Sequence, residues 1–443
     1  MSVIFKRFRI QNFAGFADTG NLDFGELNLF LGPNSAGKSS LLHVPVLLKQ
    51  TYEDPNPENR LLTDGARVEM GSFTDILFRH DLKTTLRIDM TLGSSAFEPT
   101  LFPHLRRERQ GSVIPDSFSL EFSASPRLGR IFLKSFSFYR EGINGPLLTG
   151  SFSASGELKN WQSSAELTKG FGIRFFHFVP MIFFTGKSRG PIPAKFSMLA
   201  ESLYAFRHAC ESVFGSLIHL QPIRTPIKSV YRVTGESPAT VGATGENLLG
   251  VLYREERMTK KRRRLLSHLS YWLGAKFGLV KEVQLEPLSK GRTLYALTGV
   301  DSKTAVSVNL ASVGFGVSQV APIIVQGFLS PPSSSLVIEQ PEIHLHPGAQ
   351  AELGDLFIDL IDDGKQLFIE THSQYILFRL QRRIAEGRLK ADRLRVFFVS
   401  RTEAGSRVEQ LRLDERGRIA NWPPGFFEEG YAETEKIAKA LAE

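Results

Sequence analysis

The chain opens on an alternation. Residues 3–11 (VIFKRFRIQ) place apolar and basic side chains in turn, the period of two of a strand with one buried face. Residues 27–31 (LNLFL) form a short apolar run, which suits a strand covered on both sides. A helix is predicted over SLLHVPVLLKQ, its rhythm interrupted at Pro45, and the Pro-, Asn- and Asp-rich stretch 51–65 reads as a loop. From about 68 to 180 the pattern is one of short alternating strands (TLRIDMTL, FSLEFSA, RIFLKSFSFYR) with Gly, Pro and Ser between them, predicting an antiparallel sheet. Residues 195–218 and 245–280 carry a helical period, without heptads sustained over many turns. After 290, TLYALTGV and AVSVNL predict a hairpin, and SSLVIE, QLFIE and RVFFVS predict buried strands. PGAQAELGDLFIDLIDDG predicts a helix, with Pro347 near its start and Gly364 at its end.

Strands alternating with helices imply a parallel sheet covered by helices. The predicted class is therefore α/β: a mainly parallel central sheet flanked by helices, an antiparallel β subdomain and a helical insertion. Four divisions are expected: an N-terminal lobe over 1–80, the antiparallel β subdomain over 81–190, the helical insertion over 191–290 and a C-terminal lobe over 291–443.

The length of 443 residues, 42% of them hydrophobic, suffices for one large domain or two ordinary ones. The net charge of +8 is compatible with nucleic acid, with an acidic partner, or with phosphate-binding sites alone. The single cysteine, Cys210, cannot form an intramolecular disulfide; at helical spacing from Phe206 and Phe214 it reads as a core residue. The polar, basic N-terminus is unlike a signal peptide, and no apolar run reaches the roughly 18 residues of a membrane span, so a cytoplasmic location without a membrane partner is expected.

Gly32-Pro33-Asn34-Ser35-Ala36-Gly37-Lys38-Ser39 fits G-x-x-x-x-G-K-[ST] between an apolar strand and a helix, the context a phosphate-binding loop requires. Backbone N–H groups of Asn34 to Ser40 would face the phosphates of ATP, Lys38 would reach the outer two, and the Ser39 hydroxyl would bind Mg²⁺. Ser335–Glu339 is an apolar strand ending in a carboxylate, suited to hold the same ion. Ser312-Val313-Gly314 opens a helix and offers N–H groups to a γ-phosphate. The order of phosphate loop, long insertion, Ser-x-Gly helix, acidic strand and a histidine after a strand is that of ABC-type ATPases.

At this point the sequence resembles a known group. FRIQNFAGFADTGNLDFGELNLFLGPNSAGKSSLL is similar to the opening of the RecF, Rad50 and OLD (overcoming lysogenization defect) ATPases, a class of SMC-like heads. SSLVIEQPEIHLHP resembles their Walker B and D-loop block, LFIETHSQYIL their switch segment with His372 as the switch histidine, and LASVGFGVSQ stands at the ABC signature position. ANWPPGFFEE resembles a C-terminal segment of one bacterial OLD-like subgroup, and several ATPases of the wider group serve two-gene anti-phage systems. The motifs cover roughly 1–50 and 305–430. The resemblance implies a head-to-tail homodimer, or a higher homo-oligomer, in which each ATP lies between the phosphate loop of one chain and Ser312 and Gly314 of the other.

The block departs from the group at one place. Glu339-Gln340 replaces Asp-Glu, so the position that usually polarises the attacking water holds an amide, which orients water but takes no proton. Glu342 is the nearest acid; it is a candidate base or a structural carboxylate beside Pro341. Gln340, Glu342 and His372 are the candidate catalytic residues, and Ser39 and Glu339 the candidate metal ligands. Slow turnover is expected.

Weaker signals have two readings each. Lys260–Arg264 reads as a solvated helix face or a grip on DNA phosphates, and Arg224 as a phosphate or partner contact or an ordinary ion pair. Gly71–Asp75 occupies the place of a sensor loop; Trp422, Phe426 and Phe427 read as core or partner surface. His344 and His346 alternate along their segment and so point apart, which argues against a metal site. OLD nucleases carry a metal-binding Toprim domain with an Asp-x-Asp motif after the ATPase; none follows His372 here, so the resemblance implies a nuclease or toxin effector in trans, with DNA or a phage protein as trigger. A RecF-like DNA-repair ATPase is the alternative, and a transporter ATPase the third reading.

Overall fold

The computed structural model describes residues 3–97, 113–125, 130–153, 155–163, 171–184, 194–233, 235, 238–258, 264–301 and 304–423. Its centre is a six-stranded sheet in the order Leu217–Leu220, Ser335–Glu339, Gln366–Glu370, Leu27–Leu31, Leu394–Thr402, Gly405–Leu411. The first five strands are parallel, and only the last, joined by a hairpin, is antiparallel. Leu27–Leu31, Ser335–Glu339 and Gln366–Glu370 are buried at every position, as continuous apolar runs demand when both faces are covered. One face packs against the helix Lys38–Tyr52 and the helix Ala194–Gly215. The other packs against the helices Phe315–Leu329, Pro347–Asp362 and Gln374–Ala385.

An eight-stranded antiparallel sheet adjoins this core. It runs Phe16–Asp18, Phe5–Phe13, Leu86–Leu92, Ser117–Ser125, Arg130–Tyr139, Leu148–Phe152, Leu158–Ser163, with Leu22–Asp23 paired to Phe5–Phe13. Phenylalanines fill the space beneath it: Phe118, Phe136, Phe138 and Phe206 are each almost wholly buried and stack on one another at tilted or edge-on angles. The amide of Gln366 fastens this sheet to the centre. Its Oε1 accepts from the backbone N–H groups of Ile4 (3.0 Å) and Phe5 (2.9 Å), and its Nε2 donates to the carbonyls of Phe5 and Gly25 (2.9 Å each).

Two expectations change. The antiparallel sheet does not begin near residue 81. Phe5–Phe13 pairs with Leu86–Leu92, so the pairing crosses the expected division at 80/81. The stretch 191–290 is not purely helical: beside the helices Ala194–Gly215, Leu248–Glu256 and Leu265–Tyr271 it supplies Leu217–Leu220 to the central sheet and Val280–Pro287 to a small antiparallel one. Cys210 is fully buried in the core, where burial raises its thiol pKa. No helix among the described residues is long and apolar enough to cross a membrane.

Candidate functional site

The phosphate loop leaves the C-terminal end of Leu27–Leu31 and enters the helix Lys38–Tyr52. Gly37 sits at the turn with φ 103°, and a Cβ there would meet the ring of Phe16 at 2.8 Å, so the loop is pressed against the antiparallel sheet where only glycine fits. Asn34 and Ser35 are exposed, Ala36 is buried, and Ser39 and Ser40 are half-buried on the first helical turn. Lys38 is buried and folds back so that its ammonium donates to the carbonyls of Gly32 (3.0 Å) and Pro33 (2.8 Å). Burial lowers its pKa, opposed by the carboxylates of Glu370 and Glu342.

The strands flanking the loop deliver those acids. Glu339 and Glu370 end adjacent parallel strands in register with each other. Glu370, which the sequence reading passed over, is near enough to the Ser39 hydroxyl to be influenced by it. Burial pushes its pKa up, Ser39 draws it down, and Glu339 adds to the rise. Its Oε2 is buried without a hydrogen-bond partner. Glu339 faces elsewhere: its Oε1 accepts from His219 Nε2 at 2.5 Å and stands 3.0 Å from His43 Nε2. Burial raises the Glu339 pKa, but the hydrogen bonds from the two imidazoles outweigh it and hold the group at about 2.

Glu342 is buried, its Oε1 accepting the backbone N–H of His372 at 2.6 Å while Oε2 has no partner. Burial pushes its pKa up, against the hydrogen bonds from His372 and Thr371 and the charge of Arg224. The His372 ring is half-buried, and burial together with the nearby Lys38 charge lowers its pKa. Gln340 turns the chain at φ 42° and donates its N–H to the Glu370 carbonyl at 2.8 Å. Arg224 is neither an exposed contact nor a simple ion pair. It is 1% exposed, donates to the Glu339 carbonyl at 2.9 Å, and is lowered to about 10, chiefly by burial.

Ser312 and Gly314 stand apart from the loop, on the surface. Ser312 ends the turn Leu310–Ser312, and Gly314, with φ 104°, caps the helix Phe315–Leu329. His344 and His346 are both exposed, in a turn rather than a strand: His344 has φ 62° and His346 caps the helix Pro347–Asp362. Ser72 and Asp75 form a capping box on the short helix Phe73–Ile76. Lys260–Arg263, Phe426 and Phe427 lie outside the described residues, and Trp422 packs half-buried against the central core.

A cavity of about 420 Å³ opens beside the phosphate loop. Ser35, Gly37 and Ser40 form its loop side; Ala14, Leu77, Phe78, Arg79 and His80 form one wall, and the hairpin Arg401–Ser406 the other. Its lining mixes apolar surface and the Phe78 ring with the cationic Arg79 and Arg401 and the acidic Asp75 and Glu403.

Residues 254–377 match a family model described as an AAA ATPase domain, and residues 389–437 match one described as a protein of unknown function, DUF3696. The first covers Ser312, Glu339, Glu342 and His372 but not the phosphate loop. No curated protein matches the chain significantly. Solved structures similar to the chain include an Smc head bound to the C-terminal winged-helix domain of ScpA (10% identity, 93% of this chain and 98% of that one, TM-score 0.43). A second is an Smc head from Pyrococcus furiosus with an extended coiled coil, bound to the C-terminal domain of ScpA (9% identity, 99% and 100%, TM-score 0.44). A third is the SMC head domain from Thermotoga maritima (9% identity, 92% and 99%, TM-score 0.40).

Proposed function

We propose that the chain binds and slowly hydrolyses ATP, and that ATP closes two copies head to tail to control a separate effector. One observation carries the nucleotide reading. A glycine loop at the end of a buried parallel strand holds its lysine ammonium on its own carbonyls, facing Glu370 and Glu342 from the two segments that follow the acidic strand. Such a loop turns backbone N–H groups and a helix N-terminus toward an anion. The match of residues 254–377 to an AAA ATPase domain supports the same reading.

Mg²⁺ accompanies ATP in such sites and neutralises the charge shared by the outer phosphates. Ser39 and Glu370 fit it, because they already approach each other and Glu370 keeps a buried oxygen without a partner. Glu339, the expected ligand, is engaged by two histidines instead. The adenine and ribose are assigned to the cavity between Phe78 and the Arg401–Ser406 hairpin. Photolabelling with 8-azido-ATP is expected to mark peptides containing residues 77–80 or 401–406. Labelling confined to other segments, competed by unlabelled ATP, would remove the base from this cavity.

The homodimer reading rests on the exposed Ser312–Gly314 turn and on the resemblance of its sequence to an ABC signature. Gly314 is a poor site to test it, since any side chain at φ 104° is strained. Ser312→Arg places a bulky cation on an exposed turn without touching the core. With MgATP, light scattering is expected to show a dimer for the parent chain and a monomer for the variant, both folded. An MgATP-dependent dimer that survives Ser312→Arg would contradict head-to-tail closure through this turn. A nuclease or toxin partner in anti-phage defence, triggered by DNA or a phage protein, follows from the resemblance of the motif set to OLD-like ATPases. Co-purification of the product of the neighbouring gene in an ATP-dependent manner tests it.

A further inference from the structure

We infer that His43, His219 and Glu339 form a site for one divalent transition-metal ion of the zinc type, distinct from the Mg²⁺ of a nucleotide. The fold brings them together for simple reasons. His219 stands in parallel register with Val337, and Glu339 lies two residues beyond Val337 on its strand, so both side chains leave the same face of the sheet. The helix Lys38–Tyr52 packs against that face, and His43 sits one turn beyond Ser39 upon it.

The geometry suits a small ion. A tetrahedral ion with bonds of about 2.0–2.2 Å separates its ligand atoms by roughly 3.3 Å. Here the carboxylate oxygen lies 2.5 Å from one imidazole nitrogen and 3.0 Å from the other, and the ligand atoms all fall within 4.8 Å of one another; the two short separations are hydrogen bonds, so an ion would displace their protons and spread the donors slightly. The donor chemistry is that of an open zinc site, two imidazoles and one carboxylate with a further position for water. Mg²⁺ and Ca²⁺ prefer oxygen donors alone, so two imidazoles select against them. No other group of three His, Cys, Asp or Glu side chains among the described residues has ligand spacing.

His219 and Glu339 are nearly enclosed, with side chains 3% and 5% exposed, while His43 is 23% exposed. His219 also lines a cleft of about 710 Å³ with Lys49, Gln50, Ile218, Thr240 and Glu246, which gives an ion a way in. His219 Nδ1 has no protein partner, so the ring is positioned through Nε2 alone.

The full chain, stripped with a chelator and kept free of nucleotide, is titrated with Zn²⁺ by calorimetry and with Co²⁺ by visible absorption. One equivalent per chain is expected, with the intense bands of low-coordinate cobalt. Loss of an outer-shell partner of a metal ligand costs 10–100-fold in affinity, so His219→Gln and His43→Ala, each removing a direct ligand, should cost on the order of 100-fold or more. Circular dichroism without metal checks that each variant is folded, and His43→Gln provides a milder second variant. His346→Ala, at an exposed histidine, should bind as the parent does. Lys38→Ala should also keep the site, so that a failure of the nucleotide reading is distinguishable from a failure of this one. Absence of saturable binding, or equal affinity in folded His43 and His219 variants, overturns the proposal.

Discussion

Lys38→Ala is expected to lower MgATP affinity by at least ~100-fold, measured by calorimetry. A hydrogen bond to a charged group contributes about 1.5–3 kcal/mol, and Lys38 would supply two or three to the outer phosphates, so even two at the lower bound give about 3 kcal/mol, above the ~2.8 kcal/mol of a hundredfold change. The exchange has a second effect. In the folded chain the ammonium is a cation that faces both Glu370 and Glu342. Its loss lets these buried carboxylates rise toward neutrality, which would weaken their hold on the proposed Mg²⁺ as well as removing the direct contact. Unchanged MgATP affinity in a folded variant would show that the nucleotide binds elsewhere.

The second large effect concerns Glu342. With an amide at 340, the acid nearest the phosphate loop that keeps an unpartnered oxygen on this segment is Glu342. General-base assistance contributes typically 10²–10⁴-fold, so Glu342→Gln should slow the single-turnover rate by about that factor while ATP affinity changes little. The pH dependence follows in sign. The carboxylate accepts a proton only when ionised, and burial holds its pKa above the ordinary 4.5. Turnover should therefore fall as pH drops, beginning above the range where an exposed glutamate titrates. Gln340→Glu restores an acid at the neighbouring position, whose φ of 42° is undisturbed by an exchange of equal shape. It should raise the rate several-fold and release the pH profile from Glu342. A parent chain that is already fast, with neither variant altering its rate, would exclude both residues from proton transfer.

What the sequence disclosed depends on how local each feature is. Leu27–Leu31, Ser335–Glu339 and Gln366–Glu370 are legible because a strand buried on both faces needs only its own apolar run. The phosphate loop is legible because its glycines and lysine are consecutive. The pairing across residue 81 was not legible, because strand pairing is not written in alternation: Phe5–Phe13 reads as a strand, but nothing in it names Leu86–Leu92 as its neighbour. Leu217–Leu220 was hidden behind the helical rhythm of the preceding residues, from which it is separated by a single turn. Nothing in the sequence singled out His43 or His219, and only the register of the central sheet and the helix packed on it bring both to Glu339. The exposed His344 and His346, conspicuous in the sequence, were the less informative pair. Glu370 was passed over because Glu339 already filled the expected metal role, and Arg224, singled out as a contact or an ion pair, gave no sign in its length that it would be enclosed.

Gln366 carries a consequence for motion. Its amide holds four backbone groups of the N-terminal segment at one end of a five-residue strand, and Glu370 stands at the other end beside Ser39. Sliding the antiparallel sheet over the central one would strand those buried groups at a cost of about 1–3 kcal/mol each, so the two sheets translate together as a single rod. A shift of the outer sheet that keeps these bonds would carry the strand Gln366–Glu370 with it, and Glu370 at its far end.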